Sequence, residues 1–204
     1  MKKSFFVLFL VLGTLFFTIG ITFAQVPGAG IGKDMKIKIG KYYISGDDAN
    51  MLGVEYALRF TMPLVSINAG IEADYGKISI DKNIRTFAPG SHALEKVIFI
   101  KGVGTLYLPK LLGGMGVFSP YIGLSYGYYI NSMYLFDTSD NETVKGFGGS
   151  FKIGLDFSLL GFGAFAEFER VFNDLESTKN IPIIGSTKIT SKASGNILWI
   201  GVRF

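Results

Sequence analysis

Residues 51–61 read Met51-Leu-Gly-Val-Glu-Tyr-Ala-Leu-Arg-Phe-Thr61 and keep the cleanest alternation in the chain. Leu52, Val54, Tyr56, Leu58 and Phe60 fall on one side, with Gly53, Glu55, Ala57, Arg59 and Thr61 on the other. Side chains along a strand alternate with a period of two, so this segment is a strand with two unlike faces. Beyond a tight turn at Met62-Pro63 the pattern resumes over 64–76. There Val65, Ile67, Ala69, Ile71, Ala73 and Tyr75 oppose Ser66, Asn68, Gly70, Glu72 and Asp74. Pairing Phe60 with Val65 sets Leu58 against Ile67, Val54 against Ile71 and Arg59 against Ser66, each like with like. Two strands that agree on their faces through one turn specify a hairpin.

The same reading extends outward. A first strand is expected at 35–45, with Lys36 and Lys38 opposite Ile37 and Ile39, followed by a turn at Gly46-Asp-Asp-Ala-Asn50. A strand at 93–108 places Ile98, Ile100, Leu106 and Leu108 outward and Glu95, Lys101 and Thr105 inward. Val97, Phe99 and Val103 then also point in, a pattern that allows a bulge to reverse part of it. Residues 117–130 set Ile122, Leu124, Tyr126 and Tyr128 against Tyr121, Gly123, Ser125, Gly127 and Tyr129. Strands at 146–159 and 162–173 meet through Leu160-Gly161, and pairing Leu159 with Phe162 puts Lys152 directly across from Glu169. The last strand, 188–204, closes with Gly195-Asn-Ile-Leu-Trp-Ile-Gly-Val-Arg-Phe204 and is expected to pair with the first.

This makes eight strands, all longer than the five or six residues usual in soluble sheets and long enough for a tilted membrane span. Connections at 46–50, 77–92, 131–145 and 174–187 are mostly long, while 62–63, 109–116 and 160–161 lie on the other side and are shorter. The expected fold is all-β, an eight-stranded antiparallel transmembrane barrel of up-and-down topology. A soluble β-sandwich also has one apolar and one polar face. Against it stand the strand lengths, a polar face rich in Gly and Ser but poor in Lys, and aromatics near strand ends such as Tyr43, Tyr75 and Phe172.

The N-terminus fits an exported protein. Lys2 and Lys3 precede an apolar run from Phe5 to Ala24, the pattern of a signal peptide at residues 1–24, with an uncleaved helical anchor as the alternative. A leader at 25–34 and the barrel at 35–204 follow. Without Lys2 and Lys3 the chain holds 18 basic and 16 acidic residues, a net charge of +2, so the overall pI of 9.1 does not argue for nucleic acid. The absence of cysteine excludes disulfides, thiolate metal sites, a Cys nucleophile and lipoprotein acylation.

Three segments carry a family resemblance: Pro120-Tyr-Ile-Gly-Leu-Ser-Tyr-Gly-Tyr128, Phe165-Ala-Glu-Phe-Glu-Arg170 and Trp199-Ile-Gly-Val-Arg-Phe204. They resemble the later strands of small eight-stranded outer-membrane barrels of the OmpA/OmpX type. The resemblance implies an outer-membrane location, lipid as surroundings, and a C-terminal signal read by the barrel-assembly machinery, here Leu198, Ile200, Val202 and Phe204.

An eight-stranded barrel is just wide enough for its side chains to fill. The expected lumen holds Glu55, Arg59, Glu72, Asp74, Lys101, Lys152, Asp156, Glu167, Glu169 and Arg203. Charges of both signs in so narrow a tube must pair or destabilise it. The reading is a structural plug, with Arg203 meeting an acid near its mouth. A small channel for ions or, as in OmpW-like barrels, hydrophobic solutes is the alternative. A lipid-modifying barrel enzyme is the third hypothesis. It would rest on His92 beside Ser91, adjacent residues of a loop with no acid placed to support them, and the expectation is no enzyme. Asp81 and the Asp137–Glu142 cluster match no calcium-loop spacing, so no metal or other cofactor is expected. The expected role is structural or surface-interacting, as a monomer, through extracellular loops 77–92, 131–145 and 174–187.

Overall fold

The computed structural model describes residues 30–44, 47–62, 65–78, 92–108, 118–135, 140–159, 162–181 and 185–204, without the side chains of 47, 92, 135, 140, 159, 162, 176–181 and 185–192. The expected signal peptide, His92's side chain, Ser91 and Asp81 lie outside what is described. The strands are β1 (Gly30–Ile44), β2 (Asp47–Thr61), β3 (Ser66–Ile78), β4 (His92–Tyr107), β5 (Phe118–Leu135), β6 (Asp140–Leu159), β7 (Phe162–Phe172), β8 (Asp174–Ile181), β9 (Gly185–Lys192) and β10 (Gly195–Arg203). Eight of them close an antiparallel barrel in the order β1-β10-β7-β6-β5-β4-β3-β2, and β8 and β9 form a separate two-stranded sheet.

The seam between β1 and β10 runs from Lys36–Arg203 to Tyr43–Asn196. It is finished by reciprocal backbone bonds: Met35 N–H donates to the Phe204 carbonyl at 3.2 Å, and Phe204 N–H to the Met35 carbonyl at 2.9 Å. Pairing followed once round the wall runs Ile31, Phe60, Ile67, Leu106, Ile122, Ile153, Phe168, Leu198 and back to β1 at Lys41. The path returns ten residues beyond its start (31 to 41), the stagger that closing tilted strands requires. Apart from Lys41, every residue on it is apolar. Period-two patterning has therefore built one continuous outer surface, on which Ile39, Ile71, Leu124, Phe147 and Ile200 are all more than half exposed.

Several boundaries differ from the sequence reading. β1 reaches back to Gly30 through the expected leader, because residues 30–34 pair with Thr61 through Ala57. The expected turn at 46–50 is mostly strand, with Ile44 already paired to Asp47. The β2–β3 register is displaced: Phe60 faces Ile67, not Val65, and Val54 faces Ala73. Met62 N–H donates to the Val65 carbonyl at 2.9 Å, so the hairpin closes two residues later. Most of the expected loop 131–145 belongs to β5 and β6, which stay paired out to Leu135–Asp140. The loop at 174–187 and the start of the expected last strand form the β8–β9 hairpin, and β10 begins at Gly195. In β4 the only register shift lies between Leu94 and Lys96, so no reversal occurs, and Val97, Phe99, Lys101 and Val103 all point inward.

The interior has two parts. Toward the rim of short connections (62–65, 160–161) it is charged. Toward the rim of the longer ones it is an apolar core of Tyr42, Ile44, Met51, Ile78, Val97, Phe99, Tyr129, Met133, Val144, Val171, Ile197 and Trp199.

Candidate functional site: the charged lumen

All ten charged residues assigned to the lumen face inward. They are joined by Asp34, Lys36 and Lys38, which the sequence reading left out of the set. The signal for the two lysines was present: both alternate with Ile37 and Ile39, and only their membership of the first strand's inner face was not followed through. Asp34 was hidden in the Gly-rich segment read as leader.

The centre is a ring of carboxylates and amines from five strands. Lys101 Nζ, from β4, contacts Glu72 Oε1 at 2.7 Å, Asp74 Oδ2 at 2.8 Å and Glu169 Oε1 at 2.6 Å, and all four side chains are 0% exposed. The hydrogen bond goes to Glu169 Oε1, and Glu72 and Asp74 hold the ammonium as ion-pair partners at close range. Glu72, Asp74 and Glu169 converge closely enough to ligate a cation, and Lys101 brings its own charge to that place. Lys38 Nζ lies 2.7 Å from Glu72 and 3.4 Å from Glu167 and stands 4.4 Å from the centre of the Trp199 ring. Lys152 Nζ bonds Glu72 Oε2 and approaches Glu167 at 3.6 Å and Glu55 at 3.9 Å. Glu72 is thus a hub for three amines.

Lys152 does stand opposite Glu169 in the β6–β7 ladder. Its ion pairs nevertheless go to Glu72 on β3, Glu55 on β2 and Glu167 two residues along β7, and Glu169 is held by Lys101, by Ser150 Oγ–H and by Trp199 Nε1–H at 2.8 Å. Ladder neighbours are set by the backbone. In a tube this narrow, long side chains reach across the axis instead.

Below the ring, Lys36 Nζ pairs with Glu55 at 3.1 Å and lies 4.9 Å from the Tyr121 ring centre and 5.3 Å from that of Phe165. Tyr121 donates its hydroxyl to Glu167 at 3.0 Å. A Cβ on Gly154 would overlap the Tyr121 ring, and one on Gly40 the Trp199 indole, so these two glycines make room for the lumen's largest side chains. At the short-connection rim, Arg59 donates to Asp34 at 2.8 Å and to Asn68 at 3.1 Å. Arg203, expected to meet an acid near that mouth, bonds Asp156 and lies 3.6 Å from Asp34.

Such a set stabilises only as a set. Removing several charges from water costs several kcal/mol for each ion, and only multiple close partners offset it. Chemically, the ring offers fixed charges held by one another. The closing residues Leu198, Ile200, Val202 and Phe204 all face outward, 46–60% exposed.

No family model matches the chain, and no curated protein matches it. Solved structures do. Neisserial surface protein A is similar at 12% identity with a TM-score of 0.50, over 86% of this chain and 97% of that one. A major outer membrane protein from Thermus thermophilus gives 12% identity and a TM-score of 0.48, over 85% and 99%. The attachment invasion locus protein Ail of Yersinia pestis gives 12% and 0.43, over 87% and 99%. At this identity the likeness is one of fold, the small eight-stranded barrel.

Proposed function

We propose that this chain is an integral outer-membrane barrel whose lumen is a charge-paired plug, and that it serves as a structural or surface-interaction protein and not as an enzyme. The membrane reading is supported by the outer wall, where Ile31, Leu52, Ile71, Leu124, Phe147, Ile153 and Ile200 stand more than half exposed. A continuous apolar band of this extent is a liability in water and a requirement in lipid. The single observation that carries the plug is Lys101 Nζ, bound to three carboxylates from strands on both sides of the lumen with none of the four exposed. An ion entering would have to break that arrangement without hydration to replace it.

Interaction with other molecules falls to the long-connection rim, through 77–92, 131–145 and 174–187, where the β5–β6 and β8–β9 hairpins extend. We read insertion by the barrel-assembly machinery, as a monomer, from the resemblance, with the outward-facing Leu198, Ile200, Val202 and Phe204 in its support.

Two measurements test this. Membrane fractions run unheated and heated on SDS gels should give a mobility shift; a soluble protein with no shift overturns the membrane reading. Purified protein in planar bilayers should give no reproducible single-channel steps. Such steps would replace the plug with the small-channel reading.

A further inference from the structure

The outer wall above the apolar band carries a feature the lumen does not explain. One pairing row crosses four strands as Asn50, Lys77, Lys96 and Ser132. All four alternate with inward residues, so they lie on the outside of the barrel. Lys77 and Lys96 are therefore direct cross-strand partners of like charge, an arrangement that destabilises a sheet unless an anion lies between. Neither forms an ion pair with a described residue. The outward acid of β2, Asp48, is already held by Lys41. The next outward row toward the short-connection rim is Leu52, Tyr75, Ile98 and Ile130, of which the first three are 37–52% exposed.

We infer that Lys77 and Lys96, flanked by Asn50 and Ser132, form a binding site for the phosphate of a membrane lipid of net negative charge, whose chains run down over Leu52, Tyr75 and Ile98. Two ammonium groups, an amide and a hydroxyl supply the donors a phosphate accepts. The apolar row beneath supplies the surface an acyl chain covers. The lipid thus neutralises a repulsion that no described residue compensates. This rests on the proposed membrane location and goes beyond it by naming the lipid chemistry and its residues.

The test uses the full barrel in nanodiscs of phosphatidylcholine doped with either phosphatidylglycerol or a diphosphorylated glucosamine lipid, with lipid retained after transfer to neutral detergent read by native mass spectrometry. The wild type should keep a phosphate-bearing anionic lipid over phosphatidylcholine, and the better-retained dopant identifies its source. Lys77→Gln with Lys96→Gln should weaken retention about 30-fold, about fivefold for each lysine near an anionic headgroup, with the heat-dependent gel shift intact. Equal retention of phosphatidylcholine overturns the proposal, as does unchanged selectivity in the double variant or displacement of the lipid by inorganic phosphate alone. If the double variant fails to fold, the wild type decides: retention of the dephosphorylated glucosamine lipid equal to that of the phosphorylated one refutes the site, and a clear loss supports it. Failure of the membrane reading would look different, as wild type that does not enter the discs.

Discussion

The two halves of the lumen solve the same problem by opposite means. Around Glu72 the inner wall is charged, and order comes from amines that each meet several carboxylates. Around Phe99 it is apolar: the ring lies 5.9 Å from that of Tyr42 and 4.5 Å from that of Tyr129, packed with Met51, Val97 and Ile197. The second half is an ordinary hydrophobic core placed inside a tube. Its presence explains how the first is tolerated, because it caps the charged ring on the long-connection side with side chains that exclude water. A barrel in lipid gains little from apolar contacts on its outer wall relative to an inserted but open chain. The inner core and the ionic ring must then hold the closed shape.

The comparison is broken most directly at the hub. Glu72→Ala leaves Lys38, Lys101 and Lys152 short of a partner and should destabilise the barrel by about 3–5 kcal/mol in equilibrium urea unfolding from lipid vesicles; a loss below about 1 kcal/mol would show that water reaches the ring. In the other half, Phe99→Ala should cost about 3–4 kcal/mol by the same measurement, through lost contact and an unfilled cavity. The two should separate in a third experiment. Lys152→Ala combined with Glu72→Ala should deviate from additivity by about 1–3 kcal/mol, whereas Phe99→Ala with Lys36→Ala, which belong to different halves, should add within about 0.5 kcal/mol. Ile197→Val, removing one methylene from the apolar half, should cost about 1 kcal/mol. Least of all, Lys41→Gln on the outer wall should leave the unfolding midpoint unchanged, since the Lys41–Asp48 pair is about half exposed and solvated.

How much of this was legible in the sequence depends on what each residue's neighbours are. Faces were legible, because alternation is local: Glu55, Glu72, Lys101 and Glu169 could be assigned inward one strand at a time. Register between β2 and β3 was not, because sliding one strand by two residues preserves every face, so Phe60 opposite Val65 and Phe60 opposite Ile67 satisfy the same pattern. The β6–β7 register was legible because Leu160-Gly161 leaves the flanking Leu159 and Phe162 as the natural closing pair. The outer ends of β5 and β6 were read as loop because the contrast between faces fades there: buried Asn131 shares the inner face with Met133 and Val144, while Ser132 and Thr143 take the outer one. Ion pairs were the least legible. Lys152 lies next to Glu169 along the ladder and binds Glu72 across the axis, a choice set by tube diameter and side-chain length.

The seam where Met35 and Phe204 exchange backbone bonds has a kinetic consequence. Seven of the eight strand pairings in the wall join strands consecutive along the chain or, for β7 and β10, separated only by a hairpin. The eighth joins the two ends, and its loop-closure cost is paid once, late, for the whole wall. Until it forms, β1 and β10 each carry an unpaired edge, which lipid does not tolerate. Insertion should thus behave as a single cooperative step limited by that one contact, with Tyr42, Trp199 and the central ring settling only as the tube shuts.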